Sequence, residues 1–255
     1  MTTTDRRSID VATVAPIAHD DGMRLFAAEL QRNLDLMRRL SPDDWRQQTE
    51  CPDWDVRRMY LHVLGACESG ASFRELMHQL LAARRYQRTH GGPQEAALSA
   101  VQVAERIDLT PAQLVDRLAS VAPATVRKRT RLPSILRRAR MGVDGPVVEK
   151  WSLGYLIDVI YLRDAWMHRI DVARATGADL VLTPEHDGRI VSDVVAEWAR
   201  RHGQPASLVL TGPAGGVFVA RGGTTEPVTL DAVEFCRTLA GRAPGRDLLA
   251  TIVPF

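Results

Sequence analysis

The stretch DAWMHRIDVARATG, residues 164–177, decides how this chain is read. Leu153, Ile157, Ile160 and Met167 recur at helical spacing and predict one long helix from about Ser152 to Thr176. Gly177 stands where a left-handed residue closes a helix. Asp164 and His168 interrupt the apolar seam four residues apart, so they share one face. A carboxylate on an inward seam is costly unless it is paired or metal-bound. An acid and a histidine one turn apart is one way a helix holds a metal ion. The plainer reading is a local Asp–His hydrogen bond. The chain has seven histidines, and about one such spacing is expected by chance.

A second helix supplies the missing partner. Asp55 is placed as its N-cap, and Val56, Met59, Tyr60, Val63, Leu64 and Cys67 form its apolar stripe, with the helix running to about Arg85. His62 lies on the face of Met59 and Ala66. Gly65, Ala66, Ser69 and Gly70 are small and would leave room beside its imidazole. Taken alone, His62 reads as a core histidine. Two histidines and a carboxylate from two helices would leave coordination positions open, as in catalytic sites. A divalent ion there lowers the pKa of a bound water or thiol. Asp171, three residues after His168, is either a partner of that imidazole or a helix-surface acid, and the surface position is the simpler reading.

The remaining pattern is helical up to about residue 203. Residues 17–40 carry apolar positions at Met23, Leu25, Phe26, Leu30, Leu34, Met37 and Leu40. Residues 94–126 hold helical segments, with Thr110 and Pro111 as an N-cap and N1 pair. Thr183 and Pro184 open a further helix ending near His202 and Gly203. Beyond that, SLVLTG (207–212) and GVFVARG (216–222) predict a β-hairpin, Thr229–Leu239 a helix, and LLATIVPF a last strand. The expected organisation is a flexible tail at 1–14, a helical metal-binding domain at 15–203 and a small α/β domain at 204–255. Trp45, Trp54 and Trp151 are expected to be packing anchors at loop–helix joints.

Composition removes several classes of function. The 255 residues are 45% hydrophobic and 25% charged with a net charge of +2, which is ordinary globular composition. Any argument for nucleic acid or membrane must therefore be local. The local candidate is RKRTRLPSILRRAR (127–140), with seven basic residues and no acid. It lacks interleaved aromatics, and its proline breaks a continuous helix, so a solvated, irregular segment through about residue 147 is expected. Three widely spaced cysteines, Cys51, Cys67 and Cys236, predict neither a disulfide framework nor a zinc knuckle. Cys51 and Cys67 bracket His62 and could approach a metal, although free cysteines are more often small core residues. The first residues lack the apolar run of a secretory signal, and the expected compartment is the cytoplasm.

With those residues in hand, the run RRLSPDDWRQQTECPDWDVRRMYLHVLG (38–65) resembles the opening of the mycothiol-dependent maleylpyruvate isomerase family, within the DinB-like metalloenzymes. The likeness lies in Leu40 to Trp45, in Thr49 to Trp54, and in a following helix that carries His62. DAWMHRIDVARATG resembles the second signature, although the acid there is usually glutamate and Asp164 is one methylene shorter. The ending LAGRAPGRDLLATIVPF is similar to the small domain attached to the bundle.

This resemblance implies a mainly α fold, a DinB-like four-helix bundle followed by a small C-terminal α/β domain. It implies a divalent metal, zinc by preference, on His62, Asp164 and His168, with mycothiol as cosubstrate. In such an isomerase the activated thiol adds to a double bond, the bond rotates and the thiol leaves; relatives use the thiol for S-transfer. An arginine of the C-terminal domain facing the acidic substrate is also implied, and Arg242 is the candidate by position, with a solvated helix-end arginine as the plain alternative. The expected partners are a small-molecule substrate and a low-molecular-weight thiol, with no nucleic acid and no membrane, in a monomer or weak dimer. A non-catalytic binding or regulatory member of the fold and a metal-dependent hydrolase remain the alternatives.

Overall fold

The computed structural model describes residues 8–144 and 148–255. The chain divides into two compact units, one of residues 18–180 and one of residues 1–17 with 181–255. The expected boundary near 203–206 therefore moves. The helix Arg189–His202 joins the strand-bearing unit rather than the bundle.

In the first unit, helices α1 (His19–Met37), α2 (Val56–Ala71), α3 (Phe73–His90), α4 (Gln94–Ala104) and α5 (Pro111–Thr130) precede α6 (Tyr161–Thr176). α1 packs on α5 and α6, and α2 packs on α5 and α6, which makes a four-helix bundle. α3 and α4 lie against each other and against α2. The bundle core is the predicted stripes: Met23, Phe26, Leu30, Leu34 and Met37 from α1, and Met59, Tyr60, Val63, Leu64 and Cys67 from α2, all buried.

The caps explain where helices start. The Asp55 carboxylate accepts from the Arg58 N–H, and Thr110 and Gln113 form a reciprocal capping box ahead of Pro111. The second helix does not run unbroken to Arg85. At Ser72 the backbone turns extended and its hydroxyl accepts from the Glu75 N–H, so α3 starts afresh. The predicted Ser152–Thr176 helix also differs, because a wide π-turn at Leu156–Ile160 precedes α6. In that turn Asp158 reaches His19 Nδ1 at 2.7 Å and Arg137 at 3.5 Å.

Two small-residue positions serve helix contact. A Cβ on Gly65 would stand 2.6 Å from Gln102 Cβ of α4, and one on Gly70 would meet Thr125 and Arg129 of α5. They let helices approach α2, which corrects the expectation that they leave space beside His62. An ionic clamp holds the same region. Arg106, 4 % exposed at its side chain, meets Glu68 of α2 at 2.6 Å and Glu75 of α3 at 2.7 Å. Removing it leaves the half-buried Glu68 and Glu75 carboxylates without their shared cation, with Glu68 keeping only Arg117. Arg106→Ala is expected to destabilise the protein by about 3 kcal/mol in urea unfolding.

The basic segment is structured, contrary to expectation. Residues 127–130 complete α5, Ser134–Arg137 form a helical turn, and Arg140–Asp144 pairs antiparallel with Val148–Ser152. Residues 145–147 of the predicted irregular stretch lie outside the described residues.

In the second unit, a four-stranded sheet runs Ile9–Asp10, Gly216–Ala220, Ala206–Thr211, Val228–Asp231. The central pair is the predicted hairpin, antiparallel in register Leu208 to Phe218. Both outer strands are parallel to their neighbours. Gly215 in the turn is required, since a Cβ there would lie 2.0 Å from the Leu210 carbonyl. Part of the expected flexible tail is strand Ile9–Asp10 and the turn Val11–Thr13, and residues 1–7 lie outside the described residues. α7 (Arg189–His202) closes on Gly203 at φ 68°, Thr229 and Leu230 belong to a strand, and α8 (Ala232–Leu239) starts only at Ala232, capped by Asp231. The expected final strand is instead a 3-10 turn at Asp247–Ala250, whose Leu248 carbonyl accepts from the Trp198 indole at 2.9 Å. Among the described residues no helix is long and apolar enough to cross a membrane.

Candidate metal centre

α2 and α6 bring His62, Asp164 and His168 together, with one potential ligand atom from each lying within 4.8 Å of the others. His168 Nε2 is 3.1 Å from Asp164 Oδ1, and His62 Nε2 is 3.7 Å from Oδ2. The two histidine side chains are 6 % and 12 % exposed, while that of Asp164 is 25 % exposed, so the cluster opens to one side past the carboxylate. His168 Nε2 has no aligned hydrogen bond among the described residues despite that approach. The three groups therefore crowd a common point, paired by charge but without an aligned hydrogen bond at His168 Nε2. Two imidazoles and one carboxylate around an orphaned buried nitrogen suit a divalent ion with positions left open.

Without an ion the cluster holds itself by charge. Burial alone would raise the Asp164 carboxyl, but His168 and then His62 outweigh it and hold it well below the usual carboxylate range. Burial lowers His168, and Asp164, then Asp171, push it up to about 9.

Asp171 is fully buried and its Oδ2 lies 3.5 Å from His168 Nδ1. The helix-surface reading is therefore corrected. A carboxylate behind a ligating histidine fixes which nitrogen carries the proton and aims the other. The three-residue spacing after His168 was the available signal. His62 has no such acceptor: its Nδ1 is buried without a hydrogen bond among the described residues. It is held by stacking instead, with Trp54 at 4.9 Å between ring centroids and His168 edge-on at 5.4 Å.

Trp54 is thus a wall of the cluster rather than only a joint anchor. Its loop is tied down by the residues around it. The Thr49 hydroxyl donates to the Trp54 carbonyl at 2.6 Å, and the Gln48 amide donates to the carbonyls of Cys51 and Trp54. Neither Cys51 nor Cys67 is in the cluster. Cys67 is buried, and burial pushes its thiol up to about 12.

Behind the cluster, Arg169 and Glu29 form a buried two-point ion pair between α6 and α1, at 2.6 and 3.1 Å. Asn33 of α1 donates to the Ala165 carbonyl at 3.2 Å. These contacts fix the rotation of α6 and hence the direction in which Asp164 and His168 point.

The family model for the mycothiol maleylpyruvate isomerase N-terminal domain matches residues 26–173, more than half of the chain, and the match spans both helices of the cluster. The chain belongs to this family. Two solved structures share its fold: a mycothiol-dependent maleylpyruvate isomerase, at TM-score 0.57 and 13% identity, and a histidine-to-alanine mutant described by the same name, at TM-score 0.56 and 12% identity. Each comparison covers 92% of both chains. At that identity the likeness extends to fold alone. No curated protein matches the chain.

Arg242, the candidate substrate-facing arginine, belongs to the other compact unit. It follows Gly241, at φ 77°, and its backbone N–H donates to the Arg237 carbonyl at 2.9 Å.

Proposed function

We propose that the protein is a metal-dependent, mycothiol-using enzyme acting on a small electrophilic or acidic substrate, by thiol-assisted cis–trans isomerisation or by S-transfer. The observation that carries this reading is His62, Asp164 and His168 crowded around one point, with a buried ring nitrogen left unbonded. Membership of the mycothiol maleylpyruvate isomerase family supports the choice of thiol.

In this reading His62 and His168 offer Nε2, and Asp164 offers a carboxylate oxygen. A divalent ion held there, zinc by preference for this donor set, supplies Lewis acidity that lowers a thiol's pKa toward neutrality. Asp171 keeps the proton of neutral His168 on Nδ1, so that the Nε2 lone pair faces the cluster. Trp54 covers His62 and limits water on that side. Asp164, the most exposed of the three, marks the side from which thiol and substrate enter. Arg242 remains the proposed contact for an acidic group of the substrate, by its place in the chain.

The test is metal content followed by thiol titration. The purified protein is expected to hold about one zinc per chain, to lose it in His62→Ala, and to bind mycothiol only in the metal-loaded form. Metal-free protein whose stability ignores chelators sinks the reading. Metal without any thiol response moves it to a hydrolase.

A further inference from the structure

Only two of the seven cations in the basic segment 127–140 turn into the bundle. Arg129 is buried with its guanidinium stacked on the Tyr161 ring at 3.8 Å, and Arg137 reaches Asp158 at 3.5 Å. The other five, Arg127, Lys128, Arg131, Arg138 and Arg140, are exposed, and the segment contains no acid. None of the five takes part in an ion pair among the described residues. The hairpin that follows adds to them. Arg140, Gly142 and Lys150 share one of its faces, with Gly142 paired to Lys150, and both side chains there are exposed. The acids of the hairpin are engaged: Glu149 accepts from the Trp151 indole at 2.9 Å, and Asp144 from the Gln94 N–H at 3.1 Å.

The helical turn Ser134–Arg137 sits among these cations and is fixed from behind. The Arg137 side chain points at Asp158, its carbonyl lies so close to Gly154 that a Cβ there would stand 3.2 Å away, and the Ala139 carbonyl accepts from the Leu153 N–H at 2.8 Å. With Arg137 turned to the bundle, a step of about 100° per residue aims Ile135 about 160° away, outward, and puts Leu136 and Arg138 on the two flanks. The exposures agree: Ile135 is 74 % exposed and Leu136 50 %. Arg131, Arg138 and Arg140 all lie within five residues of Ile135, which is about 18 Å at full extension and less through a turn. Two large aliphatic side chains are thus held outward at the apex of a cationic patch.

That combination selects the partner. Exposed cations alone would mark a solvated face. Nucleic acid offers phosphates, but its bases are received on aromatic platforms, and the segment holds no aromatic residue. A second copy of the chain would set like charges against each other. An anionic bilayer meets both demands, with phosphates at its surface and hydrocarbon a few ångströms below. We propose that the turn Ser134–Arg137 and its flanking cations form a docking surface for an anionic lipid bilayer. Ile135 and Leu136 enter between the headgroups, and Arg131, Arg138 and Arg140 meet the lipid phosphates. The contact is peripheral, stands apart from the thiol-enzyme reading, and replaces the expectation of no membrane partner.

Flotation of the full-length protein with lipid vesicles tests this. Vesicles of phosphatidylcholine with about 30% phosphatidylserine are expected to carry the protein, and pure phosphatidylcholine vesicles are not. Raising the salt from about 0.1 M to several times that is expected to release it. The double variant Ile135→Ser, Leu136→Ser is expected to lower the vesicle partition coefficient about tenfold or more, from the lost apolar burial. Arg131→Gln with Arg138→Gln is expected to lower it by a similar factor, from two lost charges at the surface. Urea unfolding checks that both double variants keep the wild-type stability, as exposed positions should. Phe73→Ser removes an apolar side chain of α3 that is 75 % exposed, and is expected to leave the partition unchanged. Equal carriage by neutral and anionic vesicles, or an undiminished partition in either double variant, overturns the proposal. So does a loss in Phe73→Ser as large as that in the Ile135 and Leu136 variant. Binding to a DNA duplex without vesicle binding overturns it in favour of nucleic acid. Zinc and mycothiol binding are not involved in any arm, so failure of the thiol-enzyme reading leaves these outcomes as they stand.

Discussion

Asp164→Asn is expected to lower the pKa of His168 in the metal-free protein from about 9 toward the ordinary histidine value, and to abolish metal retention. Burial lowers His168, and the Asp164 carboxylate is the strongest influence raising it. An amide of the same shape keeps the packing and removes the charge. What remains is Asp171 at 3.5 Å, which holds part of the shift. Two-dimensional NMR of the imidazole protons reads this directly, on folded protein, without reference to turnover. The sign of the stability effect follows. A folded-state pKa raised above 6.5 stabilises the fold fully below pH 6.5 and progressively less as pH rises through about 9. In Asp164→Asn that decline between pH 6.5 and 9 flattens. An unchanged His168 titration would show that the carboxylate does not govern the imidazole. Asp164→Glu, the acid usual in the family resemblance, keeps the charge and is expected to retain metal.

How far this site was legible in the chain depends on the kind of signal each residue carries. Asp164 and His168 sit four apart on an otherwise apolar seam, and that anomaly is visible in one dimension. His62 sits in an equally apolar stripe, but a lone histidine there has no partner until a second helix is placed against it; the flanking Leu40–Trp45 and Thr49–Trp54 turns supplied the link. The wall formed by Trp54 could not be read, because its contact with His62 depends on how Gln48 and Thr49 fasten the loop back on itself. Asp171 and Arg129 were misread for one reason. A charged residue in a charged neighbourhood looks solvated, and only the packing of α6 and α5 shows which ones turn inward. Gly65 and Gly70 were seen as small, but which neighbour uses the space is a tertiary fact. The same holds for α7. Its own pattern predicts the helix correctly, and nothing in that pattern says which unit it packs in.

The second large effect concerns pH and metal. In the metal-free protein His168 carries a proton up to about pH 9, because Asp164 and Asp171 both face it. A ligating imidazole must be neutral, so binding an ion at the cluster expels that proton. The apparent zinc affinity is therefore expected to rise about tenfold per pH unit between pH 7 and 9 and to level off above, with close to one proton released per zinc across that window. At pH 7 the affinity then lies about a hundredfold below its plateau, for the pKa shift from 6.5 to about 9 that the two carboxylates impose. Competition titration against a chromophoric chelator gives the slope, and calorimetry in buffers of different ionisation enthalpy gives the proton count. Asp171→Asn separates the two carboxylates. It replaces the charged acceptor behind His168 Nδ1 by a neutral amide, which loses the charge-assisted contact, while leaving the cluster itself intact. The His168 pKa should fall, which by itself favours zinc at neutral pH, yet the ring loses the contact that aims Nε2, which costs about 10- to 100-fold in affinity. If aiming dominates, Asp171→Asn binds zinc more weakly than the wild type even at pH 9.5, where His168 is largely neutral in both. A pH-independent zinc affinity in the wild type would mean that the ion sits elsewhere than on His168.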